Sequence, residues 1–401
     1  MPFRRFLRAP LVLSPSFLAP VTWLVVTFLY SLHLSSLLLF STSEAISLTL
    51  LIVAPILIVS LLFHVAYSGS AQRKARTVVV DDVPIVRLEI TVRNCLRLWV
   101  GLALIETIIS GGVPLVWLLT GNGKSNFDYG ISSVHGMVNA LLLALGVTSF
   151  ALYLYTGKRR HLALPVFALL WSLVLVSRGT LIVLVAECVV IYLRLRRVRW
   201  TIFVRIAGLA LVLLLVFGYI GDFRSGAEAF RDLARPTPDF PEWAPSGLLW
   251  AYIYITTPVN NLLYTMHTIH PTYNPLLPNT AATLFPTIFR NILYGKQGAL
   301  DAISGGLVVE ALNVSTAYVG PFQDMGRIGI VGFSTLSAAL CEMFWRRDGF
   351  RNILYFAVFA QALMLSLFYN LLFSLPILGQ LVWFYYFTYK ATPKKARLQH
   401  G

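Results

Sequence analysis

Residues 174–184 read VLVSRGTLIVL, an arginine with apolar chain on both sides of it. A guanidinium at bilayer depth costs at least a few kcal/mol, so such a residue is rare and usually faces a cavity or a partner. Where Arg178 sits depends on where the membrane edges fall, and that follows from the rest of the chain. Of its 401 residues, 57% are hydrophobic and only 12% charged. That composition belongs to a polytopic membrane protein and excludes an ordinary soluble globule. The opening MPFRRFLRAP is basic, but the apolar run after it lacks a small-residue cleavage site and reads as a retained first span. Cys95, Cys188 and Cys341 are far apart, with no CxxC and no metal-ligand spacing, which argues against a disulfide framework.

Stretches long enough to cross the hydrocarbon core lie at 16–34, 45–67, 95–119, 137–156, 161–177, 179–194, 201–220, 324–345, 352–373 and 375–390. The expected fold is therefore an all-α polytopic protein of about ten transmembrane helices. Basic clusters alternate with poorly basic connections: Arg4, Arg5 and Arg8; RKAR at 73–76 with Arg87, Arg93 and Arg97; KRR at 158–160; RLRRVR at 194–199; RRDGFR at 346–351; and KKAR at 394–397. The positive-inside rule then puts these clusters and both termini in the cytoplasm. The net charge of +15 is thus directed at anionic lipid and not at nucleic acid.

The organisation that follows is a seven-helix bundle over 1–220, a long outer loop over 221–322, and a three-helix bundle with a basic tail over 323–401. The loop holds five basic and seven acidic residues. Its uncharged stretch LLWAYIYITTPVNNLLYTMHTI, 248–269, reads as a re-entrant or interfacial helix, because one extra crossing would carry RRDGFR to the wrong side. A pair of extra half-spans remains an alternative. On this topology Arg178 lies in a tight SRGT turn at the outer face, and Arg224, in GDFRSG, follows the seventh span at the same depth.

An arginine fork matches phosphate oxygens bidentately and stays charged, so Arg178 and Arg224 are candidates for a phosphate or pyrophosphate ligand, with Arg290 a third. Simple snorkelling to the headgroups is the ordinary alternative. The loop's fourteen aromatics, Tyr252 and Tyr254 among them, suit the C–H faces of sugars, although interfacial belts account for the same enrichment. Asn260 adds a polar group to that stretch. His270, Glu310 and Asp324 are candidate general bases, each more often a hydrogen-bonded loop residue. Glu106 and Glu187 are intramembrane acids, for which an interhelical hydrogen bond is the ordinary role. GNGKS at 121–125 is not a Walker A motif, and Asp-x-Asp, HExxH and GxSxG are absent. No metal or cofactor is expected.

VSRGTLI at a hairpin tip, GDFRSG opening the loop, YIYITTPVNN within it and STAYVGPFQDMGRIGIVGF re-entering the membrane together resemble a bacterial O-antigen polymerase of the Wzy type. The resemblance covers most of the chain. It implies a metal-independent, GT-C-like glycosyltransferase of the inner membrane with its active site on the periplasmic side. Such an enzyme moves a growing glycan from undecaprenyl pyrophosphate onto the next lipid-linked repeat unit, and works with a chain-length regulator protein. The implied donor and acceptor are both undecaprenyl-pyrophosphate-linked oligosaccharides held in the lipid bilayer. Arg178 and Arg224 would then stabilise the leaving pyrophosphate while Tyr252, Tyr254 and Asn260 line the sugar site. The Arg-x10-Gly loop signatures of some polymerases are not found here. HGMVNALLLALG, 135–146, is similar to a histidine motif of O-antigen ligases but lies before the fourth span, which leaves His135 as a site-lining candidate. The alternatives are an O-antigen ligase and a lipid-linked oligosaccharide flippase.

Overall fold

The structure, a computed structural model, describes residues 11–68, 84–196, 227–241, 243–244, 246–294, 306–310 and 312–392, with single positions at 201, 204 and 208. These residues are helical, and among them the only β-pairing is an isolated antiparallel bridge between Ser35 and Pro236. The helices are α1 (Pro15–Ser31), α2 (Thr42–Ser68), α3 (Ile85–Ser110), α4 (Pro114–Thr120), α5 (His135–Thr156), α6 (Ala163–Val174) and α7 (Arg178–Leu195). They continue as α8 (Ala227–Ala234), α9 (Ser246–Thr268), α10 (Pro278–Ala281), α11 (Thr287–Tyr294), α12 (Val319–Trp345), α13 (Phe350–Met364) and α14 (Leu375–Ala391).

Among the described residues, five stretches are long and apolar enough to cross a membrane: Thr42–Tyr67, Ile85–Thr120, His135–Thr156, Val319–Trp345 and Phe350–Leu367. The chain is an all-helical protein with the apolar helices of a membrane protein. Helix α1, at 17 residues, falls just short, and the expected span at 201–220 lies almost wholly outside the described residues. The expected span at 95–119 is two helices, since Gly111 adopts φ +74° and closes α3 before α4 begins. A left-handed residue at this position is the usual way a helix ends.

Helix α5 is the hub. It packs against α3, α6, α7 and α14, and Leu141 to Ser149 are buried without interruption. A helix that is apolar all round belongs inside a bundle. Helices α2 and α3 line the outside and expose apolar side chains such as Leu61, Leu62, Leu104 and Ile108. Leucines turned outward in this number suit lipid, which offers no polar partner.

The bundle has two ends. The basic end carries the turns around 157–162 and 346–349. The opposite end, called here the loop end, carries 32–41, 111–134, 175–177, 235–241, 246–294, 306–310, 312–318 and 365–374. Helix α9 lies across the loop end. Four of its polar side chains, spread over sixteen residues, meet the segment between 30 and 44 or the segment around 306–314: Leu34 N–H donates to the Tyr252 hydroxyl (3.0 Å), Asn260 and Asn261 clip the two segments, and His267 meets Glu44 (3.0 Å). A helix descending through the bundle would have left that rim within two turns, about 11 Å.

Helix α12 is interrupted. Gly326 has φ +61° and ψ −146°, so Val319–Met325 is a separate short helix at the loop end. The break frees the carbonyls of Gln323 and Asp324, and these accept the Thr272 N–H (2.8 Å) and the Asn274 N–H (3.0 Å). Non-helical backbone is tolerated at such depth where protein covers it and satisfies it.

Candidate functional site at the loop end

Arg178 is the first residue of α7 and is exposed, with no hydrogen bond or ion pair among the described residues. Its depth follows from packing. Gly146 of α5 touches Leu184 of α7 and Ala168 of α6. Helices α5 and α7 run in the same direction, so seven residues outward from that contact, about 10 Å, come Asn139 on α5 and Ser177 before α7. The 175–177 turn therefore sits about one helical turn below the start of α5, because α6 has only 12 residues. Arg178 starts the exposed stripe of α7 that continues through Ile182, Val185 and Val189. Leu175, in the turn before it, packs against Trp117 and Tyr129 of the 111–134 segment.

Two half-exposed tyrosines are also at the loop end. Tyr369, in the connection from α13 to α14, lies within electrostatic reach of both Arg178 and Tyr254. Tyr254 lines a small, half-open pocket together with Ile253, Thr257, Pro258, Leu312, Asn313 and Val314. Pro258 removes one intrahelical donor from α9, leaving the Tyr254 carbonyl without its usual partner. The Thr257 hydroxyl is buried and has no partner among the described residues. The pocket thus combines an aromatic ring with neutral polar groups and has a guanidinium nearby.

The other expected site residues fall into three groups. Arg224 lies outside the described residues. Tyr252 and Asn260 are engaged by the chain itself. Asn260 is fully buried, accepts from the Tyr30 hydroxyl (2.9 Å) and Leu39 N–H (3.0 Å), and donates to the Leu37 carbonyl (2.8 Å). Tyr252 is buried and takes the Leu34 N–H, so of the residues expected on α9 to meet a sugar, only Tyr254 presents a half-exposed ring.

Asp324 is fully buried and all four of its lone-pair sites are filled. Oδ1 accepts the Asn279 backbone N–H (3.0 Å) and side-chain amide (2.7 Å); Oδ2 accepts the Thr280 N–H (2.7 Å) and hydroxyl (2.6 Å). It pins α10 to the broken helix, and Gly320 lets the two backbones meet, since a Cβ there would run into the Asn279 carbonyl. With no lone pair left, this carboxylate is a clamp and a poor proton acceptor. His270 and Glu310 are exposed, and among the described residues no contact joins either to Arg178.

Arg290 belongs to α11, whose Ile288, Phe289, Ile292 and Leu293 are exposed on one face. The opposite side holds the arginine, with Nε buried and unpartnered among the described residues. The Ile288 N–H donates to the Ser133 hydroxyl (3.2 Å), which docks this amphipathic helix on the 111–134 segment. No contact links Arg290 to Arg178.

His135, the first residue of α5, is paired with an acid that sequence reading had assigned to an interhelical bond. Its Nδ1 lies 3.1 Å from Glu106 Oε2, and its Nε2 accepts from Asn139 Nδ2 at 2.9 Å. Glu106 and Asn139 carried a signal in the sequence only in combination: an intramembrane acid near a helix end and a His/Asn pair four residues apart. Glu187, the second intramembrane acid, is bonded to Gln380 of α14 (3.0 Å), the interhelical role expected of it. Among the described residues, no three His, Cys, Asp or Glu side chains are grouped to hold a metal ion.

No protein family matches the chain, and no characterised protein or solved structure matches it.

Proposed function

We propose that the protein is an inner-membrane glycosyltransferase that polymerises oligosaccharide repeat units carried on undecaprenyl pyrophosphate, acting at the periplasmic face. The observation that carries the reading is the unpaired arginine at the loop end. An arginine with no internal anion stands at the level of the helix ends, beside Tyr369 and the aromatic pocket of Tyr254. That pairing suits a ligand that is part phosphate and part sugar. The motif resemblance described above supplies the reaction. The starts of α5, α7 and α14, all at the loop end, add partial positive charge there.

On this reading the chain crosses the membrane about ten times with a GT-C-like arrangement, and the loop end faces the periplasm. Helix α11 lies in the outer headgroup layer with its apolar side in lipid and Arg290 turned toward the protein. Donor pyrophosphate rests against Arg178, with Arg224 and Arg290 as further cationic contacts, and charge building on the leaving group is offset there. Attack by the acceptor hydroxyl from the opposite side inverts the anomeric centre.

The test is a polymerisation assay with purified protein and lipid-linked repeat units. A ladder of lengthening, lipid-linked chains is expected. Chains appearing instead on lipid A core would make the protein a ligase; movement of unchanged lipid-linked units across vesicles, without extension, would make it a flippase. Topology has its own check: cysteines at Ser36 and Ser132, both exposed, should react with an impermeant reagent in spheroplasts, and one at Arg159 should not.

A further inference from the structure

The pocket beside Tyr254 is held open by the chain's own bonds. Asn261 is fully buried, donates to the Leu312 carbonyl (3.0 Å) and the Val314 carbonyl (2.9 Å), and accepts the Val308 N–H (3.1 Å). These bonds fix 312–314 against α9, so the pocket is formed before a ligand arrives. Its lining is aliphatic at Ile253, Pro258, Leu312 and Val314, and no charged side chain takes part. The Trp250 and Tyr254 rings, one turn apart on α9, lie 5.5 Å apart at 35° and extend the aromatic surface at its edge.

Two polar groups of α9 are left unused beside this lining. The helix has four threonines, and Thr256, Thr265 and Thr268 each donate to the carbonyl four residues earlier (2.7, 2.8 and 2.7 Å). Thr257 does not. It is 4% exposed and lines the pocket, and its hydroxyl has no partner among the described residues. A buried hydroxyl without a bond costs stability, so its place in a pocket wall points to a partner from outside. The second group is the Tyr254 carbonyl, which Pro258 deprives of its N–H donor. One donor and one acceptor therefore stand within a turn of each other on the same wall.

A secondary amide that ends in a methyl group uses all of these features. Its carbonyl accepts from Thr257, its N–H donates to the Tyr254 carbonyl, and its methyl covers the aliphatic lining. A hydroxymethyl group would leave that lining uncovered, and the methyl of a 6-deoxy sugar would leave the Thr257 hydroxyl unbonded. A carboxylate would find no cation in the lining. The pocket is small enough to take a substituent while the sugar ring stays outside, on the half-exposed face of Tyr254. We propose that this pocket is a specificity site for the acetamido group of an N-acetylated sugar in the acceptor repeat unit, with Thr257 as the residue that selects it. The inference rests on the polymerase reading, which makes the ligand a sugar.

The experiment is saturation-transfer NMR on the full-length detergent-solubilised protein with three probes: the methyl glycosides of N-acetylglucosamine, glucose and a 6-deoxyhexose. The acetyl methyl should take up the strongest saturation, and the acetamido glycoside should bind about tenfold more tightly than the other two. Thr257→Val should bring that preference down to about twofold or less while the melting temperature holds or rises, because an unbonded buried hydroxyl has been removed. If Thr257→Val is not recovered folded, Val314→Leu at a half-buried position answers the same question. It fills the space of the acetyl methyl, and should abolish the preference while glucoside binding persists. Equal binding of the three probes overturns the assignment, as does a preference that survives in Thr257→Val. A lowered melting temperature in Thr257→Val with the preference intact would show that the hydroxyl only holds water or chain. Chain extension at equal rates from repeat units with an acetamido sugar and from their hydroxyl counterparts removes the specificity and leaves the polymerase reading standing. Acetamido binding by a protein that extends neither kind of unit ends the polymerase reading and leaves the pocket.

Discussion

The two ends of the bundle treat their charges differently. At the basic end, arginines meet carboxylates: Arg160 and His161 share Glu89, Arg346 bonds Glu342 at 2.8 Å, and Arg194 approaches Asp348 at 3.4 Å. Others lie over rings, as Arg351 does over Tyr385. At the loop end the acids are satisfied by neutral donors and histidines, Asp324 by Asn279 and Thr280, and Glu106 by His135. Arg178 and Arg290 are left with no acid among the described residues. An exposed ion pair contributes little, so the basic end gains mainly shape and lipid attraction from its pairs. An unmatched guanidinium keeps its full charge for a ligand. Under the proposed function, that is the difference an anionic ligand would use.

The most severe way to break this contrast is to remove the unmatched charge. Arg178→Ala should lower chain extension on the order of a hundredfold or more, with protein level near wild type, because a preorganised charged donor to the leaving group commonly contributes a few kcal/mol. Arg178→Lys keeps the charge but loses the planar fork and should recover only part. Gel chain length in a polymerase-deleted strain, normalised to membrane protein, reads both. Long chains from Arg178→Ala at normal abundance would show that this arginine only anchors the turn. The matching control at the other end is Arg346→Ala, which should leave chain length unchanged.

The clamp at Asp324 should respond in the opposite sense, in stability more than in rate. Asp324→Asn puts an amide group where four donors converge, so at least one N–H must face another. Hydrogen bonds to a charged group contribute about 1.5–3 kcal/mol each, and a loss of this order should lower the melting temperature of the detergent-solubilised protein by several degrees. The fraction that remains folded should extend chains within a few-fold of wild type. A rate loss as large as that of Arg178→Ala, with an unchanged melting temperature, would put Asp324 in the chemistry.

How much of this was legible in the sequence depends on the kind of contact. Hydropathy located α2, α5, α12 and α13 because lipid imposes one rule on a continuous run of residues. Arg178 stood out for the same reason, as a single violation of that rule. The break at Gly326 was not visible, because hydropathy averaged over a whole span does not report the φ and ψ of one residue in it. Nor was the use of Asn260 and Asn261, where a polar pair in an aromatic stretch reads as a ligand site until the partners at 30–39 and 308–314 are known. The Glu106–His135 pair joins residues 29 apart across two helices and a glycine-closed loop, and only packing brings them together.

The finest test of the comparison lies within one helix, where Tyr252 and Tyr254 are two residues apart and face opposite ways. Tyr252 is 6% exposed and holds the Leu34 N–H, whereas Tyr254 is 43% exposed and lines the pocket beside Tyr369. If the pocket takes a sugar, Tyr254→Ala removes the ring on which it rests and should raise the acceptor concentration needed for half-maximal extension by about tenfold, a stacking contribution near 1.4 kcal/mol. Its melting temperature should stay close to wild type, since little buried surface is lost. Tyr252→Phe should do the reverse: it leaves one buried N–H without its acceptor, costs about 1 kcal/mol of stability, and leaves extension nearly unchanged. Measuring both variants for half-saturation and for melting separates ligand contact from internal clip with the smallest chemical change available. Equal effects of the two on extension would mean that α9 contributes to activity only by holding the loop end together, and the sugar site would then lie elsewhere around Arg178.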